Sequence, residues 1–338
     1  MPIPHVKPGV WPAGLPSPPG TGSGRFAAGI RRDDPTGCRV ALVGLPDDLG
    51  IRLNNGRPGA KEGPTAFRAA LARYGTGYDV ETELPLDVGV YDAGDIQPAP
   101  GDDAAALHKT HARVTEALLE VHRMGLVPAC IGGGHDLTFP TVRALAQSLS
   151  DMAGPLGGIN VDAHLDVRET VGSGMPFRAL IEGGILDPRK FTVVGAGLFA
   201  NTREHCEWLT SRGARIIGIE NVMEFGVSET DTFTRAMRRA AIGSTQRLGT
   251  GFVSIDMDSL DAAHAPGVSA MNPMGLTVRQ VEQIARQAGE HPAVKHFDIM
   301  ELSPPHDLTG APGSGGRTAR IAALLFLSFI RGFAERAL

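Results

Sequence analysis

A short apolar run that ends in metal-type side chains constrains this chain more than any other stretch. Gly157–Val161 is small and apolar enough for a buried strand, and Asp162, His164 and Asp166 follow it at alternate positions. Because successive side chains of a strand point to opposite faces, these three are predicted to project to the same side. Two carboxylates and an imidazole suit a divalent cation such as Mn²⁺, Fe²⁺, Co²⁺, Ni²⁺ or Zn²⁺. Taken alone, the same residues could also form a hydrogen-bonded core network.

Two further apolar runs end in side chains of the same kind. Leu126–Ile131 leads through three glycines to His135, and Phe252–Asp256 is followed by Asp258. All three segments fit the carboxyl ends of parallel strands, where an α/β sheet gathers its ligands. Taken separately, His135 could instead be a hydrogen-bonded core histidine, and Asp256 and Asp258 could be loop-capping residues.

Together the three segments offer more ligands than one metal needs. The six candidates are His135, Asp162, His164, Asp166, Asp256 and Asp258. Four carboxylates and two imidazoles are too many for one tetrahedral zinc, and they suit two carboxylate-bridged metals about 3.5–4 Å apart. Such a pair lowers the pKa of a bridging water and provides hydroxide at neutral pH.

Apolar runs alternate with helical patterns along most of the chain. Strands are predicted at 39–45, 88–93, 126–131, 157–162, 191–194, 215–218, 252–256 and 294–299. Helices are predicted around 64–71, at 102–124, around 142–149, and at 201–210, 229–241, 277–288 and 318–333. This alternation predicts an α/β sandwich with a mainly parallel central sheet and right-handed crossovers.

The distribution of proline and glycine divides the chain at one point. Residues 1–38 are predicted to form an irregular Pro/Gly-rich N-terminal arm, and residues 39–338 to form a single catalytic domain. The hydrophobic fraction of 42% over 338 residues is ample for a sizeable core. We find no internal repeat and no convincing linker after the arm.

Charge and cysteine content argue against several classes of partner and compartment. The formal net charge is −5 and the chain has no long basic run, so neither nucleic acid nor an anionic membrane is an expected partner. The three cysteines are too few and too scattered for a disulfide framework, which favours a reducing, cytoplasmic compartment. We expect no transmembrane helix and no secretory signal, because neither pattern is present.

Several motifs resemble the ureohydrolase superfamily, which comprises arginases, agmatinases and formimidoylglutamases. The matching segments are Gly132-Gly-Gly-His135, Asp162-Ala-His-Leu-Asp166, Ser254-Ile-Asp-Met-Asp-Ser-Leu-Asp261, Glu62-Gly-Pro-Thr-Ala-Phe-Arg68 and Glu301-Leu-Ser-Pro304. The resemblance extends over roughly residues 39–335. It implies a three-layer α/β/α fold of the arginase/deacetylase type and a dinuclear manganese site, although Ni²⁺, Co²⁺ and Fe²⁺ share these ligands.

The resemblance also implies a role for each candidate residue. His135, Asp162, Asp166 and Asp256 would hold one metal, and Asp162, His164, Asp256 and Asp258 would hold the other. Asp162 and Asp256 would then bridge the two metals. Glu301 would bind the cationic nitrogen of the substrate, and Asp166 and Glu301 are the expected catalytic side chains, acting with the metal-bridging hydroxide.

Other segments favour formimidoylglutamases within the superfamily. The glycine before His135, the stretch Gly172-Ser-Gly-Met-Pro-Phe-Arg178, Asn55-Gly-Arg-Pro-Gly59 and Gly316-Arg-Thr-Ala-Arg320 resemble that group, whereas Asp136 and Met175 depart from it. N-Formimidoyl-L-glutamate has two carboxylates, which arginine guanidinium groups pair with bidentately. Arg57, Arg168 and Arg178 are therefore the candidate substrate-binding cations. The predicted reaction converts N-formimidoyl-L-glutamate and water to L-glutamate and formamide, in histidine degradation.

Three other functions stay open at this point. The first is hydrolysis of another guanidino or amidino compound, such as guanidinobutyrate, agmatine or a small guanidine. The second is a one-metal deacetylase on the related fold. Asp166 and Asp258 argue against it, because they complete a second metal position. The third is a non-catalytic partner subunit. The family resemblance implies a homo-oligomer, a trimer or hexamer, and a hetero-oligomer remains an alternative.

Overall fold

A nine-stranded sheet forms the centre of the molecule in the computed structural model, which describes residues 2–13, 24–149, 154–224, 250–308 and 316–336. The strands are β1 (Val6–Lys7), β2 (Val40–Leu45), β3 (Tyr78–Asp79), β4 (Leu84–Pro85), β5 (Val90–Ile96), β6 (Val127–Gly132), β7 (Leu156–Val161), β8 (Leu186–Ala196), β9 (Arg215–Gly218), β10 (Gly251–Asp256) and β11 (Val294–Met300). The sheet order is β1-β5-β2-β6-β11-β10-β7-β8-β9, while β3 and β4 pair separately. Within the large sheet, every pair of neighbouring strands is parallel except β1 with β5.

Helices connect the strands and cover both faces of the sheet. The α-helices in the described ranges are α1 (Leu49–Leu53), α2 (Gly63–Arg73), α3 (Ala104–Arg123), α4 (Thr138–Ser148), α5 (Pro176–Glu182), α6 (Arg203–Ser211), α7 (Ile219–Glu224), α8 (Val278–Glu290) and α9 (Arg317–Ala334). Short 3₁₀ turns occur at Phe26–Gly29, Ala60–Glu62, His135–Leu137, Met257–Ser259 and Pro304–His306. Local sequence defines the start of α8, where Thr277 and Gln280 form a capping box.

The strands are apolar on both faces because both faces are covered. In β2, Val40 and Leu42 pack into one hydrophobic core, and the intervening Ala41 and Val43 pack into another. Helices α2, α8 and α9 contribute to the first core, and helix α3 contributes to the second. A third core joins α5 and α6 to β8. The predicted three-layer α/β/α sandwich with a mainly parallel sheet is confirmed.

The predicted elements agree closely with those observed. Each predicted strand is present within a few residues of its expected bounds, and β8 is longer than expected. The strands β1, β3 and β4 were not predicted, since a two-residue strand leaves no periodic pattern. The predicted helix at 229–241 lies outside the described residues. The division of the chain at residue 38 stays a prediction, and β1 from that N-terminal segment pairs with β5 at the sheet edge.

None of the helices in the described part of the chain is both long enough and apolar enough to cross a membrane.

A buried ion cluster joins helix α2 to strand β5. The guanidinium of Arg68 donates to both carboxylate oxygens of Asp92, at 2.9 and 2.8 Å, and to Asp95 at 2.6 Å. Trp11, from the N-terminal segment, donates its indole N–H to the same Asp92. Arg68 is only 1% exposed, so its charge is balanced almost entirely by these two carboxylates.

Replacing Arg68 tests how much the fold depends on that balance. Arg68→Met is expected to lower the free energy of unfolding by about 3–5 kcal/mol, because it leaves two carboxylates buried without a cation. The measurement is denaturant unfolding followed by circular dichroism. Arg203→Met is the matched control, since its ion pair with Glu207 is largely exposed and is worth less than about 1 kcal/mol. Equal losses in the two variants would contradict this view of the cluster.

Candidate metal centre

The candidate site lies at the carboxyl ends of four neighbouring parallel strands. Strands β6, β11, β10 and β7 are adjacent in the sheet, so their ends meet at one edge. His135 follows β6, and Glu301 follows β11 directly. Asp256 ends β10, and Asp162 comes directly after β7. The sheet therefore brings together side chains that are far apart in sequence.

One set of ligand-type atoms surrounds His135. Its Nδ1 lies 3.0 Å from Oδ2 of Asp166, 3.0 Å from Oδ2 of Asp256 and 3.3 Å from Oδ2 of Asp162. One ligand atom from each of these four residues lies within 4.8 Å of the others. This spacing allows a single cation to contact all four.

A second set shares Asp162 with the first. Nδ1 of His164 lies 3.2 Å from Oδ2 of Asp258 and 3.5 Å from Oδ1 of Asp162. Asp256 borders this set, because its Oδ1 accepts a hydrogen bond from the backbone N–H of Asp258 at 2.7 Å. All six residues predicted as ligands are thus gathered in two overlapping sets, and their role as ligands stays a prediction.

Unpartnered atoms show that these residues fit a metal. Nδ1 of His135, Oδ1 of Asp258 and Oε2 of Glu301 are buried without a hydrogen-bond partner among the described residues. Burial raises the pKa of Asp258 to about 6. Burial also raises the pKa of Asp256, and the charges of Asp258 and Asp162 raise it further. Crowded buried carboxylates of this kind are stabilised by a cation between them.

The backbone around the site adopts conformations that ordinary residues avoid. Asp166 and Glu301 have positive φ angles, of 48° and 64°, a region that is uncommon for residues other than glycine. At Gly133 a Cβ atom would lie 1.6 Å from the carbonyl oxygen of Asp47, so only glycine fits this close approach. Strained backbone of this type clusters at functional sites.

Glu301 is held against the turn that carries His135. Its backbone N–H donates to the carbonyl of Gly133, and its Oε1 accepts from the backbone N–H of His135 at 3.0 Å. Burial raises the pKa of Glu301 well above its ordinary value, and the charge of Asp256 adds to the shift. Its second oxygen remains free for another donor.

Two of the three predicted substrate-binding arginines, Arg57 and Arg168, lie on loops. Arg57 donates from Nε to the carbonyl of Ser269 and from Nη2 to that of Val268, both at 2.8 Å. Arg168 is exposed, and its backbone N–H donates to the carbonyl of Gly174. The loop of Arg168 approaches His135, because a Cβ on Gly134 would lie 3.6 Å from Cβ of Ser173.

The third arginine is engaged elsewhere on the surface. Arg178 pairs with Glu169 at 2.5 Å and with Glu182 at 2.9 Å. Its guanidinium also stacks over the ring of Trp208, 4.7 Å from the centroid. A substrate carboxylate would have to compete with these partners, so the contribution of Arg178 to binding stays a prediction.

An apolar cavity of about 400 Å³ opens beside His164. Leu198 and Phe199, from the loop after β8, and Met271 and Met274, from the loop after β10, line it. Phe199 is 97% exposed. His164 is the one titratable side chain among the lining residues, which are otherwise apolar, glycine or an amide. The cavity therefore offers hydrophobic contact to a chain that extends from the ligand cluster.

Sequence reasoning missed the polar residues behind the cluster. Asp136, which departs from the formimidoylglutamase pattern, is buried and lies 2.7 Å from Nε2 of His111 on α3. Ser254, His296 and Asp298 form a second buried network. The signal for that network was available: His296 and Asp298 alternate along β11, as Ser254 and Asp256 do along β10, so each pair shares a face.

Comparison with known proteins shows similarity to hydrolases of amidine compounds. The guanidinopropionase of Pseudomonas aeruginosa is 32% identical over 302 residues, covering 87% of this chain and 88% of the relative. The formimidoylglutamase of Halobacterium salinarum is 33% identical over 299 residues, covering 87% of each chain.

A solved structure and a family model agree with these relatives. The structure of Trypanosoma cruzi formiminoglutamase with Mn²⁺ superposes with a TM-score of 0.81 at 29% identity, covering 93% of this chain and 99% of that one. The model of the arginase family matches residues 38–331. The predicted resemblance to the ureohydrolases is confirmed, and the chain belongs to the arginase family.

Proposed function

We propose that this hydrolase converts N-formimidoyl-L-glutamate and water to L-glutamate and formamide, as a step of histidine degradation. The observation that carries the proposal is the recurrence of formimidoylglutamases among both the curated relatives and the solved structures that are similar over most of the chain. Arg57 and Arg168 would supply guanidinium groups for the two substrate carboxylates; Arg168 is exposed, and its loop approaches the turn of His135 through Ser173.

The metal centre of this proposal contains two divalent cations. His135, Asp162, Asp166 and Asp256 would hold one, and Asp162, His164, Asp256 and Asp258 would hold the other, with Asp162 and Asp256 shared. Mn²⁺ is the proposed metal because the similar Trypanosoma cruzi structure contains it. When bound, such a pair lowers the pKa of a water and polarises the amidine.

The side chains of the chain itself orient the substrate and handle the proton. The free Oε2 of Glu301 would accept an N–H of the amidinium, while its Oε1 stays fixed by the backbone of His135. Asp166 has a side chain that is 12% exposed within an otherwise buried set. We assign the proton that passes from water to the departing nitrogen to the oxygen of Asp166 that does not face His135. Arg57, Arg168 and Arg178 would pair with the two substrate carboxylates.

We also propose a cytoplasmic location and a homo-oligomeric assembly. Three free cysteines with no disulfide among them support a reducing compartment. The trimer or hexamer follows from the family resemblance alone, and assembly with a different subunit stays an alternative.

A second candidate function is hydrolysis of a guanidino compound. The guanidinopropionase relative and the apolar cavity beside His164 favour it, because a guanidino acid has one carboxylate and needs fewer cationic partners. The reaction would release urea instead of formamide. A screen that measures urea, ammonia and formamide separates the two functions, and urea without turnover of formimidoylglutamate would contradict the first.

Metal binding is the most direct test of the proposed centre. The wild-type chain is expected to bind two Mn²⁺ ions, and Mn²⁺ at about 100 times its dissociation constant adds about 2.7 kcal/mol of stability per site. Asp166→Ala should weaken one of the two sites. Asp187→Asn is the control, because that carboxylate contacts Arg189 outside the cluster. Isothermal titration reports both constants, and a single site in the wild-type chain would contradict the centre.

Glu301 has a role that can be separated from metal binding. Glu301→Gln is expected to lower kcat/KM by about 10²–10³-fold, since it removes a charge that faces the reacting amidinium. Metal stoichiometry should stay at two. Glu207→Gln, which alters an exposed carboxylate, serves as the control. Wild-type kcat/KM in Glu301→Gln would rule out the assigned role.

Arg168 tests the substrate itself. Arg168→Ala is expected to raise KM for formimidoylglutamate by about 10–100-fold, because a charged hydrogen bond is worth about 1.5–3 kcal/mol. The bound metal should be unaffected. Steady-state kinetics of Arg168→Ala and of the exposed control Arg203→Ala give the comparison. If both variants keep the wild-type KM, Arg168 does not bind the dicarboxylate.

A further inference from the structure

A chain of buried polar side chains extends from His135 away from the acidic cluster. Nε2 of His135 lies 2.9 Å from Oγ of Ser254, and that oxygen lies 2.5 Å from Oδ1 of Asp298. The other carboxylate oxygen of Asp298 lies 2.9 Å from Nε2 of His296. All four side chains are at most 1% exposed. Water therefore does not screen or replace these contacts.

The donors and acceptors in this chain admit one orientation. An ionised carboxylate only accepts hydrogen bonds, so Asp298 accepts from Ser254, from Thr138 at 3.1 Å and from His296. The single hydroxyl proton of Ser254 is then committed to Asp298. Its oxygen can only accept from His135, which must carry its proton on Nε2. The lone pair of His135 is consequently on Nδ1, the atom nearest the three aspartates.

The sheet holds this network in register. Ser254 of β10 and Asp298 of β11 are directly paired neighbours across the two strands. Thr138 begins α4, immediately after the turn that carries His135. At the far end, burial and the proximity of His296 lower the pKa of His122 to about 3, so His122 stays uncharged there. The side chains of the network are thus held by three backbone elements, which are β10, β11 and the start of α4.

We propose that Ser254, Asp298 and His296 are positioning residues, which fix the tautomer and ring orientation of His135 and thereby set the affinity of the cation site around it. This inference rests on the metal centre of the proposed function. Partners of a ligating histidine typically change metal affinity by about 10–100-fold when they are removed. Among the described residues, neither His164 nor Asp258 contacts the network, so the second cation site is expected to change far less, through the shared Asp162 and Asp256 alone.

The other role for such a network is structural. A buried, hydrogen-bonded set of polar groups also specifies the packing of a core. In that case its loss would lower the stability of the metal-free protein and weaken both cation sites together. The positioning role differs because it predicts a loss confined to one site.

Four variants separate these two roles. Ser254→Ala removes the hydroxyl that accepts from His135. His296→Leu removes the imidazole N–H that donates to Asp298 at the far end of the network. His296→Gln keeps an N–H donor and should restore binding. Thr192→Val is the matched control, because Thr192 is equally buried and its hydroxyl has no hydrogen-bond partner among the described residues.

The experiment is titration of each metal-free full-length variant with Mn²⁺, followed by calorimetry and by electron paramagnetic resonance of the bound ions. We expect Ser254→Ala and His296→Leu to weaken one site by about 10–100-fold and the other by less than about threefold. His296→Gln and Thr192→Val should bind as the wild-type chain does. Thermal unfolding of the metal-free variants should be within a few degrees of the wild-type value.

Three results would overturn the positioning role. They are unchanged affinity in both Ser254→Ala and His296→Leu, equal weakening of both sites, and failure of His296→Gln to bind better than His296→Leu. If His296→Leu does not fold, Ser254→Ala decides alone, since it removes a single oxygen. A wild-type chain that binds no Mn²⁺ would instead refute the proposed metal centre.

Discussion

Mutual repulsion among buried carboxylates is the constraint on which the rest of this structure depends. Asp162, Asp256 and Asp258 are each at most 4% exposed, and only two imidazoles stand among them. Burying unpaired carboxylates is costly, so the arrangement is stable only with a compensating positive charge. Two divalent cations would supply it. The buried arginine of α2 satisfies the same requirement for Asp92 and Asp95 at the sheet edge.

The fold provides the rigidity that holds these like charges together. The four strands that end at the cluster are interior strands of the sheet, covered by helices on both faces. Glycines allow the turn before His135 to approach the neighbouring loop, and Asp166 and Glu301 accept unfavourable φ angles there. Strain of this kind persists only where the surrounding packing determines the backbone completely.

Local patterns were sufficient to predict which metal-type side chains lie together at the strand ends. Asp162, His164 and Asp166 were found because alternation along a strand and its carboxyl end are both visible in a single segment. The alternation within each strand was visible, but the contact between Ser254 and Asp298 was not, because it depends on which strand pairs with β10, and sheet order is a long-range property. The surroundings of Arg178 were missed for the same reason: Trp208 lies on α6, beyond the intervening β8.

Substrate choice rests on weaker physical constraints than metal binding. The proposed amidine-binding end consists of buried groups, including the free oxygen of Glu301. The far end is open: it combines exposed arginine loops, which favour a dicarboxylate, with an apolar cavity, which favours a chain of lower charge. Relatives named for both kinds of substrate match this chain at similar identity.

Anomalous X-ray diffraction at the manganese edge, from crystals grown with Mn²⁺, tests the central claim most directly. Two anomalous peaks are expected about 3.5–4 Å apart, one beside Nδ1 of His135 and one beside Nδ1 of His164, with Asp162 between them. A single peak, or no peak within reach of these atoms at saturating Mn²⁺, would contradict it.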